Sequence, residues 1–202
     1  MTLVELEELL GFSLAHRFTL ADEFVSLLRS VPTSVAVAES LTGGALASAI
    51  VDVAGASAVF RGGAVTYATD SKASVLGVSE ERLALTGPVD GVVAEQMAHG
   101  VAHLFSAEFA LSTTGGAGPG PNDGFPAGTV WIGTFGRTDF IFNLSSRLAN
   151  GKISVKNESG SGMEAVSALQ IRLTGSRSDI RDGAVRCALG LGIASIRHSK
   201  VS

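Results

Sequence analysis

The chain has 202 residues, 46% of them hydrophobic, and a positive mean hydropathy, which suits one buried core and excludes a disordered segment. A formal net charge of −4 gives no electrostatic draw toward nucleic acid, so an anionic ligand needs a local site. One cysteine excludes an internal disulfide, no apolar run reaches membrane-spanning length, and the acidic start at Glu5, Glu7 and Glu8 lacks the segments of a signal peptide. The expectation is a soluble cytoplasmic protein with no nucleic-acid or membrane partner.

Leucines at 3, 6, 9 and 10 carry a helical spacing over residues 3–12 that Gly11 interrupts, and Phe24, Val25, Leu27 and Leu28 repeat it over residues 21–30. Pro32 stops that helix, and Ser34-Val35-Ala36-Val37-Ala38 reads as a short buried strand. A helix of small residues follows from Thr42 to Val53. Ala58 to Tyr67 is a second strand, which Gly62-Gly63 weakens or bulges. Thr69 to Leu76 suits a short helix with Thr69 or Asp70 as its cap; Ser79 caps the next, where Glu80 and Glu81 favour the positive helix end. Val92 to Phe105 is a longer helix, Glu108 to Thr113 a strand, and Thr114 to Pro126 a Gly/Pro-rich loop. Gly128 to Phe135 alternates as a strand, with Phe140 to Leu144 as its candidate partner. Ser145 to Gly162 reads as a flexible flap or an extended hairpin. Ser167 to Leu173 is the last strand and Ser178 to Arg197 the closing helix, on which Cys187 is a buried thiol. Strands alternating with helices, then a hairpin-like pair, predict an α/β fold: a single three-layer α/β/α domain with a mixed β-sheet.

Three segments carry candidate chemistry. In Ala38-Glu39-Ser40-Leu41-Thr42-Gly43-Gly44 a serine sits where a strand ends and a helix opens; it becomes a nucleophile once a base takes its proton. Backbone amides at such a helix start hold a phosphate or an oxyanion, and Gly43 and Gly44 let a ligand approach closely. The alternative is a plain helix cap with packing glycines. In the second segment, Arg61 to Lys72, Tyr67 is the only tyrosine of the chain and Lys72 one of four lysines. If both converge on Ser40, a neutral Lys72 serves as general base with Tyr67 fixing the hydrogen bonds, which requires a lowered lysine pKa. The alternative is a surface lysine and an interfacial tyrosine. The third segment, Thr113 to Pro121, follows a strand, and its glycines form either a nest for a phosphate or ribose or a plain connection. It has no Gly-Lys-Ser/Thr of a Walker A loop and no dinucleotide fingerprint. His99 and His103 stand four apart on a helix, a metal-binding spacing, but without a third ligand or the zincin glutamate; no metal is expected.

The motifs Ala38-Glu39-Ser40-x-Thr42-Gly43-Gly44, Phe60-x-Gly62-Gly63 with Val65-Thr66-Tyr67, Lys72-x-x-x-Leu76-Gly77-Val78, Thr114-Gly115-x-Ala117-Gly118-Pro119 and Gly128-Thr129-Val130-Trp131 occur in this order. Together they resemble the C-terminal domain of the CinA (competence/damage-inducible) family, whose stand-alone members include nicotinamide mononucleotide amidohydrolases. The resemblance runs from about Ala21 to Trp131 and resumes near Gly175. It implies a helical extension over residues 1–20 ahead of an amidohydrolase domain over 21–202, standing without the molybdopterin-binding-like domain of longer members.

The resemblance implies roles as well. Ser40 is the nucleophile, Lys72 its base partner, Tyr67 an assistant, and Arg177, in Gly175-Ser176-Arg177, matches an implicated arginine. With Thr42, Gly43, Gly44, Thr114, Gly115 and Gly118 as further substrate-binding residues, the expected reaction is hydrolysis of the carboxamide of nicotinamide mononucleotide to nicotinate mononucleotide and ammonia, with no cofactor. The partner is then a small pyridine nucleotide, and a homo-oligomer stays open without a subunit number. The sequence departs from the family pattern at Leu41 (a cysteine there), Gly116 (isoleucine), Phe125 (lysine) and Ser176 (aspartate), and its segment at about 137–172 is longer. These departures leave two alternatives open, a non-catalytic nucleotide-binding module and a Ser-Lys amidase acting on another small amide.

Overall fold

The strand that leads into the first candidate motif, β1 (Val35–Glu39), is buried along its whole length. Its side chains alternate between two cores. Val35 and Val37 pack on one face of the sheet, and Ala36 and Ala38 on the other. This computed structural model describes residues 1–31, 33–121, 123–139, 152–156 and 164–199. β1 lies between β2 (Phe60–Val65) and β3 (Phe109–Gly115), parallel to both. β4 (Thr129–Arg137) runs antiparallel to β3, and the sheet continues antiparallel through β6 (Glu164–Arg172) to β5 (Lys152–Lys156). The six-stranded order is therefore β2-β1-β3-β4-β6-β5, a mixed sheet as the sequence predicts.

Four helices, α1 (Leu3–Leu10), α2 (Arg17–Ser30), α3 (Ala45–Val51) and α7 (Arg177–Ser199), cover the face that Val35, Phe109 and Ile132 present. The other face packs against α5 (Glu80–Thr86) and α6 (Gly91–Phe105), with α4 (Thr69–Leu76) seated on α6. The result is a single three-layer α/β/α arrangement. Leu6 and Leu14 are fully buried in the same core as α7. Among the described residues no helix is long and apolar enough to cross a membrane.

Local chemistry explains most element ends. Thr2 and Glu5 form a reciprocal capping box at α1, and Gly11 closes that helix in the left-handed conformation. Ser79 caps α5 and Asp90 caps α6 through two amides. The expected bulge in β2 is present, with the register against β1 slipping between Val35 and Ala36. At Gly100, α6 passes so close to α4 that a Cβ there would overlap the carbonyl oxygen of Leu76.

Three expectations need correction. The helix expected over Thr42 to Val53 is shorter, because Gly43 and Gly44 take positive φ (61° and 94°) and spend residues 40–44 on a turn. The cap of α4 is neither Thr69 nor Asp70: Ala68 holds that position without a side-chain bond, and the Asp70 carboxylate accepts from its neighbour Ser71 at 2.9 Å. The strand beside β4 is β6, nine residues in continuous register from Thr129↔Arg172 to Arg137↔Glu164. Phe140 to Leu144 lies outside the described residues. Of Ser145 to Gly162, only Lys152–Lys156 is described, and it is an edge strand.

Candidate active site

The strand order places a switch point at β1. The chain leaves β1 through α3 to reach β2 on one side and returns through α6 to β3 on the other. Loops at the carboxyl ends of such strands diverge and leave a crevice. Ser40 follows β1, Thr66 and Tyr67 follow β2, and Gly116 to Pro121 follow β3, so all three motifs of the sequence meet at one edge of the sheet.

Ser40 is held at the crevice floor by its backbone, whose amide donates to Thr113 O at 2.9 Å. Its neighbour Glu39 is 1% exposed and turns its carboxylate under α3, accepting from the amides of Gly44 (2.9 Å), Leu46 (3.0 Å) and Ala47 (2.8 Å). The positive end of α3 is therefore occupied by the chain's own anion. This corrects the expectation for Gly43 and Gly44. The Gly43 amide donates to Ser40 O at 3.1 Å and the Gly44 amide to Glu39, so neither is available to a ligand. The Thr42 hydroxyl pairs with that of Thr113 at 2.7 Å, fully buried. Among the described residues, the amides of Leu41 and Thr42 carry no hydrogen bond.

Lys72 reaches Ser40 from α4. Its side chain is fully buried, and its Nζ donates to Ser40 Oγ at 3.2 Å, to Thr66 O at 2.7 Å and to Tyr67 O at 3.5 Å. Burial pushes the ammonium down to about 8, while the negative charge of Asp123 acts in the opposite direction. A buried lysine with carbonyl partners and a hydroxyl at hydrogen-bond distance has the geometry of a base beside a nucleophile. Tyr67 contributes its carbonyl to Lys72; the residue is 59% exposed, and its phenol accepts from Arg177 at 2.7 Å.

Arg177 opens α7 and also donates to Gly118 O at 2.8 Å, tying the third loop to the second. The remaining loop residues are held from behind: Thr114 donates to Pro88 O at 2.7 Å, and the Gly116 amide to Thr129 O at 3.0 Å. Together these loops enclose a cavity of about 440 Å³ whose wall includes Ser40, Leu41, Tyr67, Gly118, Asp123 and Arg177. Thr114 and Gly115 also line it, whereas Thr42, Gly43 and Gly44 do not.

Sequence reasoning missed Asp123, Pro88 and Val89. Asp123 sits in a Gly/Pro-rich loop without a motif around it, and the signal that could have marked it is its place in the loop that follows β3. His99 and His103 stand on α6 against Phe135 with their Nε2 atoms 3.0 Å apart, and neither lines the cavity. Among the described residues no group of three or more His, Cys, Asp or Glu is placed to hold a metal ion. Cys187 is buried on α7 and its thiol is pushed up to about 12, which leaves it inert at neutral pH.

Residues 17–161 match the CinA C-terminal domain, and the chain belongs to that family. It is 51% identical over 112 residues to a CinA-like protein of Frankia casuarinae, covering 55% of this chain and 26% of that one. A CinA-like protein of Chlorobium limicola is 44% identical over 120 residues, 59% of this chain and 28% of the relative. The chain thus spans about a quarter of the length of these curated relatives. Among solved structures, the CinA superfamily protein KP700603 from Klebsiella pneumoniae aligns with a TM-score of 0.73 at 28% identity, covering 91% of this chain and 99% of that one. The competence/damage-inducible protein CihA from Agrobacterium tumefaciens aligns with a TM-score of 0.71 at 34% identity, covering 89% and 94%.

Proposed function

We propose that the protein is an amidohydrolase that converts nicotinamide mononucleotide to nicotinate mononucleotide and ammonia through Ser40 and Lys72. The observation that carries this reading is the 3.2 Å contact between Lys72 Nζ and Ser40 Oγ, with Lys72 fully buried and Ser40 on the cavity wall. Neutral Lys72 takes the Ser40 proton as Oγ attacks the carboxamide carbon. The oxyanion that forms is met by the amide of Leu41, which lines the cavity. Lys72 then returns the proton to the leaving nitrogen, ammonia departs, and an acyl-serine remains. Water, deprotonated by Lys72, attacks that ester, and its collapse releases the carboxylate and restores Ser40.

Arg177 and the loop amides around Gly118 are the groups for the phosphate end, and a cavity of about 440 Å³ falls in the size range of small-molecule sites. The CinA resemblance supports the same assignment of Ser40, Lys72 and Tyr67. The test is ammonia release from nicotinamide mononucleotide by the wild type, Ser40→Ala and Lys72→Ala, with circular dichroism as the folding control. The wild type releases ammonia and both variants fall to background while keeping the fold. Full turnover by Ser40→Ala would overturn the mechanism.

One observation favours a second reading, the same chemistry on a less anionic amide. Among the described residues Arg177 is the one cationic side chain on the cavity wall, Asp123 lies on the same wall, and Phe125 stands where the family pattern has lysine. A panel that pairs the mononucleotide with its nucleoside separates the two, since preference for the nucleoside supports the second.

A further inference from the structure

We infer that Arg181 is a positioning residue for this reaction, holding the peptides after Ser40 so that the Leu41 amide stays aimed at the oxyanion. The inference rests on the reading of Ser40 as an acyl-transfer nucleophile.

Arg181 lies one helical turn beyond Arg177 on α7 and approaches the nucleophile turn from behind. Its Nε donates to Leu41 O at 3.0 Å and its second terminal nitrogen to Thr42 O at 2.7 Å. In a trans peptide the C=O and N–H point in opposite directions. Drawing the Thr42 carbonyl toward α7 therefore turns the Gly43 N–H back onto Ser40 O, and with the Ser40 carbonyl held the Leu41 N–H of the same peptide points the opposite way, while the bond to Leu41 O fixes the peptide between them. The pattern of satisfied amides points the same way. Gly43 and Ala45 donate within the turn, and Gly44, Leu46 and Ala47 to Glu39, so the two amides left without a partner are those directly after the nucleophile.

Arg181 does not line the Ser40 cavity. It borders a separate one of about 500 Å³ with Arg17, Ala45 and Asp182, so it acts through the backbone and not on the substrate. Among the described residues no carboxylate lies within ion-pair distance of it. Its charge therefore polarises both peptides, strengthening the Gly43 N–H that holds Ser40 O in place.

A fluorophosphonate probe tests this apart from the carboxamide substrate. Ser40 Oγ attacks phosphorus, fluoride leaves, Lys72 takes the hydroxyl proton, and the phosphoryl oxygen needs the same Leu41 amide as an oxyanion. Labelling is followed by intact mass and located by peptide mapping in the wild type, Arg181→Ala and Arg181→Lys. The wild type is expected to label at Ser40, with Arg181→Ala about 100-fold slower and Arg181→Lys between them. The pH midpoint of labelling, set by Lys72, stays unchanged in Arg181→Ala, and millimolar guanidinium restores part of its rate. Labelling of Arg181→Ala at the wild-type rate overturns the inference and leaves the nucleophile reading intact. So does a slow rate with a moved midpoint and no rescue, which marks general loosening of the turn. A wild type unlabelled at Ser40 overturns both. If Arg181→Ala does not fold, Arg181→Lys decides: a reduced rate with an unchanged midpoint supports the role, and an unchanged rate removes it.

Discussion

Lys72 is a buried cation whose nearest partners are two carbonyl oxygens and a hydroxyl, so its solvation is incomplete and its proton is loosely held. On the proposed function, with the ammonium near 8, kcat/KM rises with pH through an apparent pKa close to that value, because the neutral amine is the base. Asp123 works against this by favouring the charged form, so Asp123→Asn moves the rising limb of the pH–rate profile to lower pH. Burial has a stability consequence too. Since the folded-state value lies below that of a free lysine, the charged lysine destabilises the fold by about 3 kcal/mol, fully so below pH 8. That penalty fades as pH rises from about 8 toward 10.5. Relative to the wild type, Lys72→Met is therefore most stable below pH 8 and loses that advantage across this window; denaturant melts at several pH values measure it.

At the scale of elements, α3 owes its entry angle to Glu39. Replacing that carboxylate by an amide, as in Glu39→Gln, removes the charge from three helix-start hydrogen bonds and buries a poorly paired NH₂ group, a loss of roughly 1–3 kcal/mol. In a domain of this size the expected fall in Tm is roughly 3–10 °C, read by scanning calorimetry. This element also marks where sequence reading stops. The buried apolar run of β1 and the cap at Ser79 are written in neighbouring residues and were legible. The use of the Gly43 and Gly44 amides was not, because it depends on which way one carboxylate turns, and Glu39 competes with any ligand for the same donors. The partner of the Tyr67 phenol was hidden for a similar reason. That partner, Arg177, is 110 residues away, and only the packing of α7 brings the two together.

For the whole molecule, the mixed sheet does what no single motif can: it delivers three loops, distant in sequence, to one edge. The alternation of strands and helices gave the layers, while the strand order, with β4 joined to β6, required long-range pairing that periodicity does not encode. A ligand that bridges those loops stabilises the folded chain as one unit. On the proposed function, nicotinamide mononucleotide at about 100 times its Kd stabilises Ser40→Ala by about 2.7 kcal/mol, raising Tm by roughly 5–10 °C. Thermal-shift titration checks it, and a flat response removes this substrate from consideration.

The contact at Gly100 acquires a different meaning in this light. Lys72 and Leu76 are one turn apart on α4, and the bare backbone of Gly100 lets that helix sit flush against α6. A missing methyl group far from Ser40 thus sets how far the amine must reach. Gly100→Ala, normally a favourable exchange inside a helix, should push α4 outward and lengthen the proton's path. On the proposed function, turnover then drops while KM holds, a defect in gear spacing with every chemical part still present, and steady-state kinetics on the purified variant would detect it.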